Sequence, residues 1–164
     1  MDFNDCSLKV NGDVFRLRAC GILIKEDMVL VVGNDQSPYY YSLGGAVHVG
    51  ESTAEAAIRE VYEETGHVFE IDRLLFIHEN FFHWKEEGQF KDHSFHELAF
   101  YYLMKWDPGI SAMTPGVTIF SEPEKLHWFK ITELDKADLP VYPTFFAKEL
   151  LHLSDTIKHI VTYE

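Results

Sequence analysis

The sequence GGAVHVGESTAEAAIREVYEETGHVF, residues 44–69, predicts the main helix of the chain. Residues Ser52 to Glu55 read S-T-A-E, a capping box in which a serine hydroxyl and a glutamate carboxylate each bond a free amide of the first turn. Gly66 suits the position after a helix, because glycine adopts the left-handed conformation without steric cost. We therefore expect a helix from about Thr53 to Thr65, preceded by the double glycine Gly44-Gly45.

Three glutamates, Glu60, Glu63 and Glu64, share one face of this helix at i, i+3 and i+4 spacing. The apolar stripe is on a different face and consists of Ala54, Ala57, Ile58 and Val61. Like charges at this spacing repel, and the last turn of a helix disfavours anions. A solvated acidic face is the ordinary explanation of such a cluster. A site for a hard divalent cation explains it better, because Mg²⁺ binds carboxylate oxygens together with substrate phosphates.

The same stretch resembles the Nudix box, G-x5-E-x7-R-E-U-x-E-E-x-G-U, in which U is a bulky apolar residue. The matching positions within residues 45–67 are Gly45, Glu51, Arg59, Glu60, Val61, Glu63, Glu64 and Gly66. Two positions depart from the pattern of the family. His67 occupies the final apolar position, and Leu43 stands where many members have proline before the double glycine. Neither change removes a carboxylate, so the resemblance includes every acidic position of the box.

The Nudix resemblance implies hydrolysis of a pyrophosphate bond in a nucleoside diphosphate linked to another group, with Mg²⁺ or Mn²⁺ as cofactor. The metal ligands that it implies are Glu60, Glu63, Glu64 and the carbonyl of Gly44. It further implies that Glu51 and Arg59 form a pair that holds the glycine loop against the helix. Glu60 could alternatively be the catalytic base that deprotonates the attacking water.

Glu97 is a further candidate for the same chemistry. The strand-like segment around it alternates, with Leu98, Phe100, Tyr102 and Met104 on one face and Phe95, Glu97, Ala99 and Tyr101 on the other. Nudix relatives often supply an additional metal ligand or base from outside the box, and a glutamate within an aromatic strand is a suitable candidate. The alternative is a glutamate near a strand end whose carboxylate reaches water.

Histidines and aromatic residues between positions 78 and 97 are candidates for substrate contacts. The spacing of the histidines matches no zinc pattern, and no cysteine accompanies them. Aromatic faces can stack on a nucleobase. The predicted substrate-binding residues are Tyr40, Phe82, His83 and His96. The alternative is that these aromatics belong to the core, beside a hairpin whose turn is at Glu86–Gly88.

Strand-like segments separated by turns account for most of the remaining chain. They are Arg16–Lys25, Met28–Gly33, Pro38–Leu43, Leu74–Phe82, Phe95–Lys105 and Leu126–Ile131, with a loop at Asp107–Gly116. A closing helix is predicted at Pro143–Leu153, with proline in its first turn. This order predicts an α/β (α+β) fold of Nudix type, a mixed β-sheet sandwiched between α-helices, in a single domain over residues 1–164.

The amino-acid composition disfavours nucleic acid as a partner. The 164 residues include 14 Lys and Arg and 27 Asp and Glu, a formal net charge of −13. So acidic a chain is poorly suited to nucleic acid, whose binding depends on Lys and Arg. The two cysteines make no disulfide framework, and we find neither a signal sequence nor an apolar run long enough for a membrane span. We expect a soluble cytoplasmic protein without a membrane partner, and family habit suggests a homodimer.

The leading functional hypothesis is metal-dependent hydrolysis of a small nucleotide-like substrate, either a nucleoside triphosphate or an ADP-sugar-like molecule. The alternative is a Nudix-like nucleotide-binding module or sensor without turnover. Such modules tend to lose carboxylates of the box, and this chain retains all of them. A calcium-binding structural protein is disfavoured because the chain lacks the D-x-D-x-D-G loop of an EF-hand.

Overall fold

The structure is a computed structural model that describes residues 4–34, 38–85, 91–110, 113, 124–138 and 140–164. The predicted turn at Glu86–Gly88 and part of the predicted loop at Asp107–Gly116 lie outside the described residues. The strands are β1 (Ser7–Val10), β2 (Asp13–Ile22), β3 (Ile24–Lys25), β4 (Met28–Gly33), β5 (Tyr40–Tyr41), β6 (Leu43–Ala46), β7 (Ile71–His83), β8 (Ser94–Met104), β9 (Lys125–Lys130), β10 (Val141–Tyr142) and β11 (Lys158–Tyr163). The helices are α1 (Thr53–Thr65), a 3₁₀ helix (Ile131–Lys136) and α2 (Phe146–Glu149).

The described strands form two mixed sheets. The first has the order β1-β2-β8-β7-β11, with β6 also paired to β2. Within it, β8 runs parallel to β2 and β11 runs parallel to β7, whereas the other pairs are antiparallel. The second has the order β10-β5-β4-β3, with β9 also paired to β4. The pairing of β6 with β2 places the double glycine opposite Ala19 and Cys20 of β2.

Helix α1 begins and ends at the residues that the sequence predicts. Ser52 and Glu55 form both bonds of the capping box, and Gly66 follows the helix in the left-handed conformation, with φ of 75°. The helix packs through small residues, since Ala56 and Ala57 are fully buried and a Cβ on Gly21 of β2 would lie only 2.2 Å from Cγ2 of Val61. Glycine at this position therefore permits the close approach of helix and sheet.

A second core lies between the two sheets and fixes their relation to each other. It contains Cys20 and Ile22 of β2, Val29 and Val31 of β4, Phe76 of β7 and Tyr101 of β8. Phe146 of α2 is also fully buried in this cluster. Because apolar burial contributes roughly 25 cal/mol per Å², side chains of this size supply much of the stability of the fold.

The predicted mixed α+β fold is confirmed, with the strands divided between two mixed sheets, and the C-terminal part of the chain differs from the sequence-based expectation. The predicted closing helix shortens to the four residues of α2, and the chain continues into β11, whose residues pair with β7. Residues 158–163 alternate between partly buried and exposed positions, a strand pattern that the sequence-based prediction missed. No helix in the described ranges is long and apolar enough to cross a membrane.

We expect Gly21→Ala to lower the free energy of unfolding by about 1–3 kcal/mol, because the new methyl group overlaps the side chain of Val61. Urea denaturation measures this change. In a Val61→Ala background the same substitution should cost much less, since the space has been vacated. An equal cost in both backgrounds would contradict the packing explanation.

Candidate active site

The two glycines of the loop allow two different close approaches. Gly44 has φ of +140°, and a Cβ there would lie 2.5 Å from the carbonyl oxygen of Ala19 and 2.6 Å from Cα of Cys20. A Cβ on Gly45 would lie 2.4 Å from the nearer carboxylate oxygen of Glu60. Gly44 therefore lets strand β6 lie against β2, and Gly45 leaves room for the carboxylate of Glu60 beside the loop.

The three glutamates of the helix have different surroundings. Glu64 is 7% exposed, and its Oε2 accepts a hydrogen bond of 2.9 Å from the amide of Gly44. Burial raises the pKa of Glu64 well above its usual value, and the negative charges of Glu124 and Glu60 raise it further. Burial also raises the pKa of Glu60, against the opposing charge of Arg59. The side chain of Glu63 is 56% exposed.

Glu124 is a fourth carboxylate of this cluster, and the sequence analysis did not identify it. It stands immediately before β9, is 8% exposed, and accepts a hydrogen bond of 2.9 Å from the hydroxyl of Tyr41. Burial raises the pKa of Glu124, and its charge contributes to the raised pKa of Glu64. The local sequence, SEPEK, has no feature that distinguishes it from a solvated acidic turn. Only the tertiary fold brings it to the glycine loop.

Arg59 joins the helix to the loop, as the Nudix resemblance implies. Its Nε and Nη2 donate to the two carboxylate oxygens of Glu51, at 2.8 and 2.9 Å, in bidentate geometry. Nη2 also donates to the carbonyl of Ala46 at 2.9 Å, and Nη1 donates to Glu60 at 2.6 Å. The hydrogen bonds from Arg59 lower the pKa of Glu51 to about 2. The pair thus remains ionised over the physiological range.

Glu97 is engaged with two arginines of the neighbouring strand. The carboxylate is 4% exposed, and Oε2 lies 2.5 Å from Nε of Arg16 while Oε1 lies 3.5 Å from Nη1 of Arg18. Burial favours the neutral acid, but the charges of Arg16 and Arg18 outweigh it and lower the pKa of Glu97. Arg18 continues toward the loop, where Nη2 donates to the carbonyl of Gly44 at 2.7 Å. Neither arginine was a sequence-based candidate.

The predicted substrate-binding residues are not brought together. Tyr40 lies in the second sheet, where its ring packs edge-on against His127 and Phe129, at 4.8 and 4.9 Å. Phe82 lies in the first sheet and stacks on Phe95 at 4.9 Å. Because Phe95 and Glu97 alternate with His96 along β8, Phe82 shares the face of Glu97.

His96 and His83 contact different residues from those around Tyr40 and Phe82. His96 points to the opposite face of the first sheet, where it stacks on Phe81 at a centroid distance of 4.3 Å. His83 has a half-exposed side chain, and its Nε2 lies 3.8 Å from Asp92. Of the four predicted substrate contacts, only Phe82 therefore lies on the sheet face that carries Glu97.

The chemistry of the donors around Gly44 fits a hard divalent cation. All of them are carboxylate or backbone carbonyl oxygens, the ligands that Mg²⁺ and Mn²⁺ prefer. Burial raises the pKa of Glu60, Glu64 and Glu124, and neighbouring carboxylates raise those of Glu60 and Glu64 further, a cost that a cation would relieve. Within the described ranges, however, no three His, Cys, Asp or Glu side chains are arranged to hold an ion. Glu60 is drawn to Arg59 and Glu64 to the amide of Gly44.

Comparison with known proteins identifies the family. Residues 14–148 match the family model described as the NUDIX domain. The chain belongs to the Nudix family. A MutT mutator protein from Bacillus halodurans has a similar structure, with a TM-score of 0.63 and 21% identity over 90% of this chain and 89% of that one. A MutT Nudix hydrolase from Burkholderia pseudomallei has a TM-score of 0.60 and 23% identity over 84% of this chain and 98% of that one.

An ADP-ribose pyrophosphatase from Streptococcus suis is also similar, with a TM-score of 0.56 and 16% identity over 90% of this chain and 98% of that one. No curated protein matches the chain. At these identities the solved structures establish the fold alone. Family membership confirms the prediction of a Nudix pyrophosphohydrolase, a class that generally uses divalent metal ions and acts on small nucleotide substrates.

The ion pair of Glu51 and Arg59 predicts a pH-dependent contribution to stability. Because folding lowers the pKa of Glu51 to about 2, from roughly 4.3 in the unfolded chain, the pair stabilises the fold fully above the unfolded value. That contribution is lost as the pH falls from about 4.5 toward 2. The difference in free energy of unfolding between wild type and Glu51→Gln, measured with urea in EDTA, should therefore be constant above about pH 5 and shrink below it. In an Arg59→Gln background the pH dependence should largely disappear, and its persistence would contradict the assignment.

Proposed function

We propose that the protein hydrolyses the pyrophosphate bond of a nucleoside diphosphate linked to another moiety, with Mg²⁺ or Mn²⁺ as cofactor. The observation that supports this proposal is the set of carboxylates near the double glycine, of which Glu64 and Glu124 are buried and Glu60 is partly buried. Burial disfavours the ionised forms of all three acids, and neighbouring carboxylates further disfavour those of Glu60 and Glu64, so this local arrangement costs stability. Such arrangements are expected at functional sites.

Each residue of the site has a proposed role. The residues that would hold the cation are Glu63, Glu64 and the carbonyl of Gly44, with Glu124 as an additional carboxylate, and Glu60 is the proposed catalytic base rather than a ligand. The cation, when bound, supplies positive charge to the phosphate oxygens as negative charge develops on them. Glu51 and Arg59 keep the loop against the helix. Arg16 and Arg18 supply guanidinium groups that suit phosphate oxygens.

The reaction is a displacement at phosphorus. A water oxygen forms a bond to one phosphorus of the anhydride, and the bond from that phosphorus to the bridging oxygen breaks. The bridging oxygen leaves with the electron pair as part of the other product. A carboxylate accepts the proton of the water. We assign this role to Glu60, because Glu97 is engaged by Arg16 and Arg18 through both of its oxygens.

The role that we propose for Glu97 is to position the two arginines. Its ionised carboxylate balances part of their charge and holds them on the sheet face that also carries Phe82. The guanidinium carbon of Arg16 lies 5.1 Å from the ring centre of Phe95 and 5.9 Å from that of Phe82. We propose that Phe82 contacts the base of the substrate, and that Tyr40, His83 and His96 do not.

A substrate panel tests the reaction. Nucleoside triphosphates and ADP-ribose are the first compounds, because the similar structures include MutT proteins and an ADP-ribose pyrophosphatase. The release of phosphate, pyrophosphate and nucleotide is measured with Mg²⁺, with Mn²⁺ and with EDTA. We expect turnover with at least one compound only when a divalent cation is present. Binding without turnover across the panel would favour a nucleotide-binding module.

Glu64→Gln should reduce kcat by at least about 100-fold on the substrate that the panel identifies, since it removes a charged ligand while keeping the shape of the side chain. Circular dichroism and Tm should show an intact fold. Glu55→Gln is the matched control on the same helix, because glutamine preserves the capping box and Glu55 lies outside the carboxylate cluster. Near wild-type turnover by Glu64→Gln would contradict the proposed metal site.

A further inference from the structure

Arg18 already places a cation on the backbone oxygen that we propose as a metal ligand. Its Nη2 donates to the carbonyl of Gly44 at 2.7 Å, and its Nη1 lies 3.5 Å from the carboxylate of Glu97. The side chain is 20% exposed. Gly44 is thus bound at both of its polar groups, since its amide donates to Glu64 from helix α1.

The charge of Arg18 acts on the carboxylate cluster as well as on the carbonyl. Burial raises the pKa of Glu60 and of Glu64, and the guanidinium of Arg18 partly opposes that rise in both. An arginine keeps its proton at any ordinary pH, so this countercharge is permanent. It therefore performs part of the electrostatic task that a bound divalent cation would perform.

A guanidinium and a divalent cation on the same oxygen repel each other strongly where solvent is largely excluded. A carbonyl oxygen has two lone pairs, so the conflict is one of charge rather than of valence. Glu97 offers Arg18 a second anion away from the loop, and that carboxylate is ionised by its arginine neighbours. The guanidinium can therefore leave Gly44 and remain paired.

We propose that Arg18 is a resident countercharge that competes with the divalent cation for the Gly44 carbonyl and the neighbouring glutamates. Cation binding displaces the guanidinium from Gly44 while Glu97 retains it. The displaced Nη2 is then available to donate to a phosphate oxygen of the substrate. This inference rests on the proposed function, because it takes the Gly44 carbonyl as a metal ligand. A purely structural Arg18, which only ties β2 to β6, would not oppose cation binding.

Mn²⁺ binding without substrate separates these possibilities. Calorimetric titration is carried out on wild type, Arg18→Met and Arg16→Met. Methionine keeps an apolar side chain of similar length and removes the charge. Arg16 is the matched control, because it lies on the same face of β2 and binds the same carboxylate but makes no bond to Gly44. We expect Arg18→Met to lower the Kd for Mn²⁺ by about tenfold and Arg16→Met to change it by less than about twofold.

Stability provides the second readout. In EDTA, Arg18→Met should have a lower Tm than Arg16→Met, because the clustered glutamates have lost their countercharge. Added Mn²⁺ should raise the Tm of Arg18→Met more than that of wild type. If Arg18→Met does not fold, Arg18→Gln replaces it. Glutamine removes the charge and keeps an amide that can donate a hydrogen bond, so Mn²⁺ should again bind more tightly than to wild type.

The outcomes are distinguishable. Tighter Mn²⁺ binding by the Arg18 variant, with the control unchanged, supports the competition. Unchanged or weaker Mn²⁺ binding by a folded Arg18 variant overturns it, and the proposed function survives if wild type still binds Mn²⁺ and hydrolyses a substrate. Equal tightening by both arginine variants also overturns it, since the effect would then be one of net charge. Absence of Mn²⁺ binding in every protein overturns both proposals.

Discussion

Gly44 is the point on which the loop, the sheet and the helix depend. It lies flat on β2 because it has no Cβ, and a methyl group there would collide with the backbone of Ala19 and Cys20. Its amide donates a hydrogen bond to Glu64 of the helix, and its carbonyl accepts one from Arg18 of β2. One residue thus has a carboxyl group at its amide and a guanidinium at its carbonyl. Its position fixes these two side chains relative to each other.

Two arginines, one on the helix and one on the sheet, place positive charge near this residue. Arg59 lies on the helix and pairs with Glu51, so a bidentate ion pair, which the Nudix resemblance implies, binds the loop to the helix. Arg18 lies on β2 of the sheet and pairs with Glu97, 79 positions further along the chain. Each of the two arginines beside the carboxylate cluster is therefore also paired with a glutamate outside the cluster. Such networks allow charged groups to be partly buried without a strongly uncompensated charge.

The sequence predicts the parts of this arrangement that are local. The capping box and the end of helix α1 at Gly66 follow from local spacings, and the ion pair of Glu51 with Arg59 is what the Nudix resemblance implies. Glu124 could not be found in this way. It reaches Glu64 only because β9 pairs with β4, and no short-range pattern marks that pairing. Strand β11 lies between these two cases. The sequence shows the alternation of its residues but does not show that β7 is its partner.

The alternation of strand residues restricts the substrate site more than composition does. His96 and Glu97 are adjacent on a regular strand, so their side chains must lie on opposite faces of the sheet. A pocket on one face can therefore include one of them and not the other. The same rule separates Phe81 from Phe82, and the register pairs Phe81 with His96 and Phe82 with Phe95. The face that contains Glu97 carries Phe82 and the two arginines, which is why the proposed substrate contacts lie there.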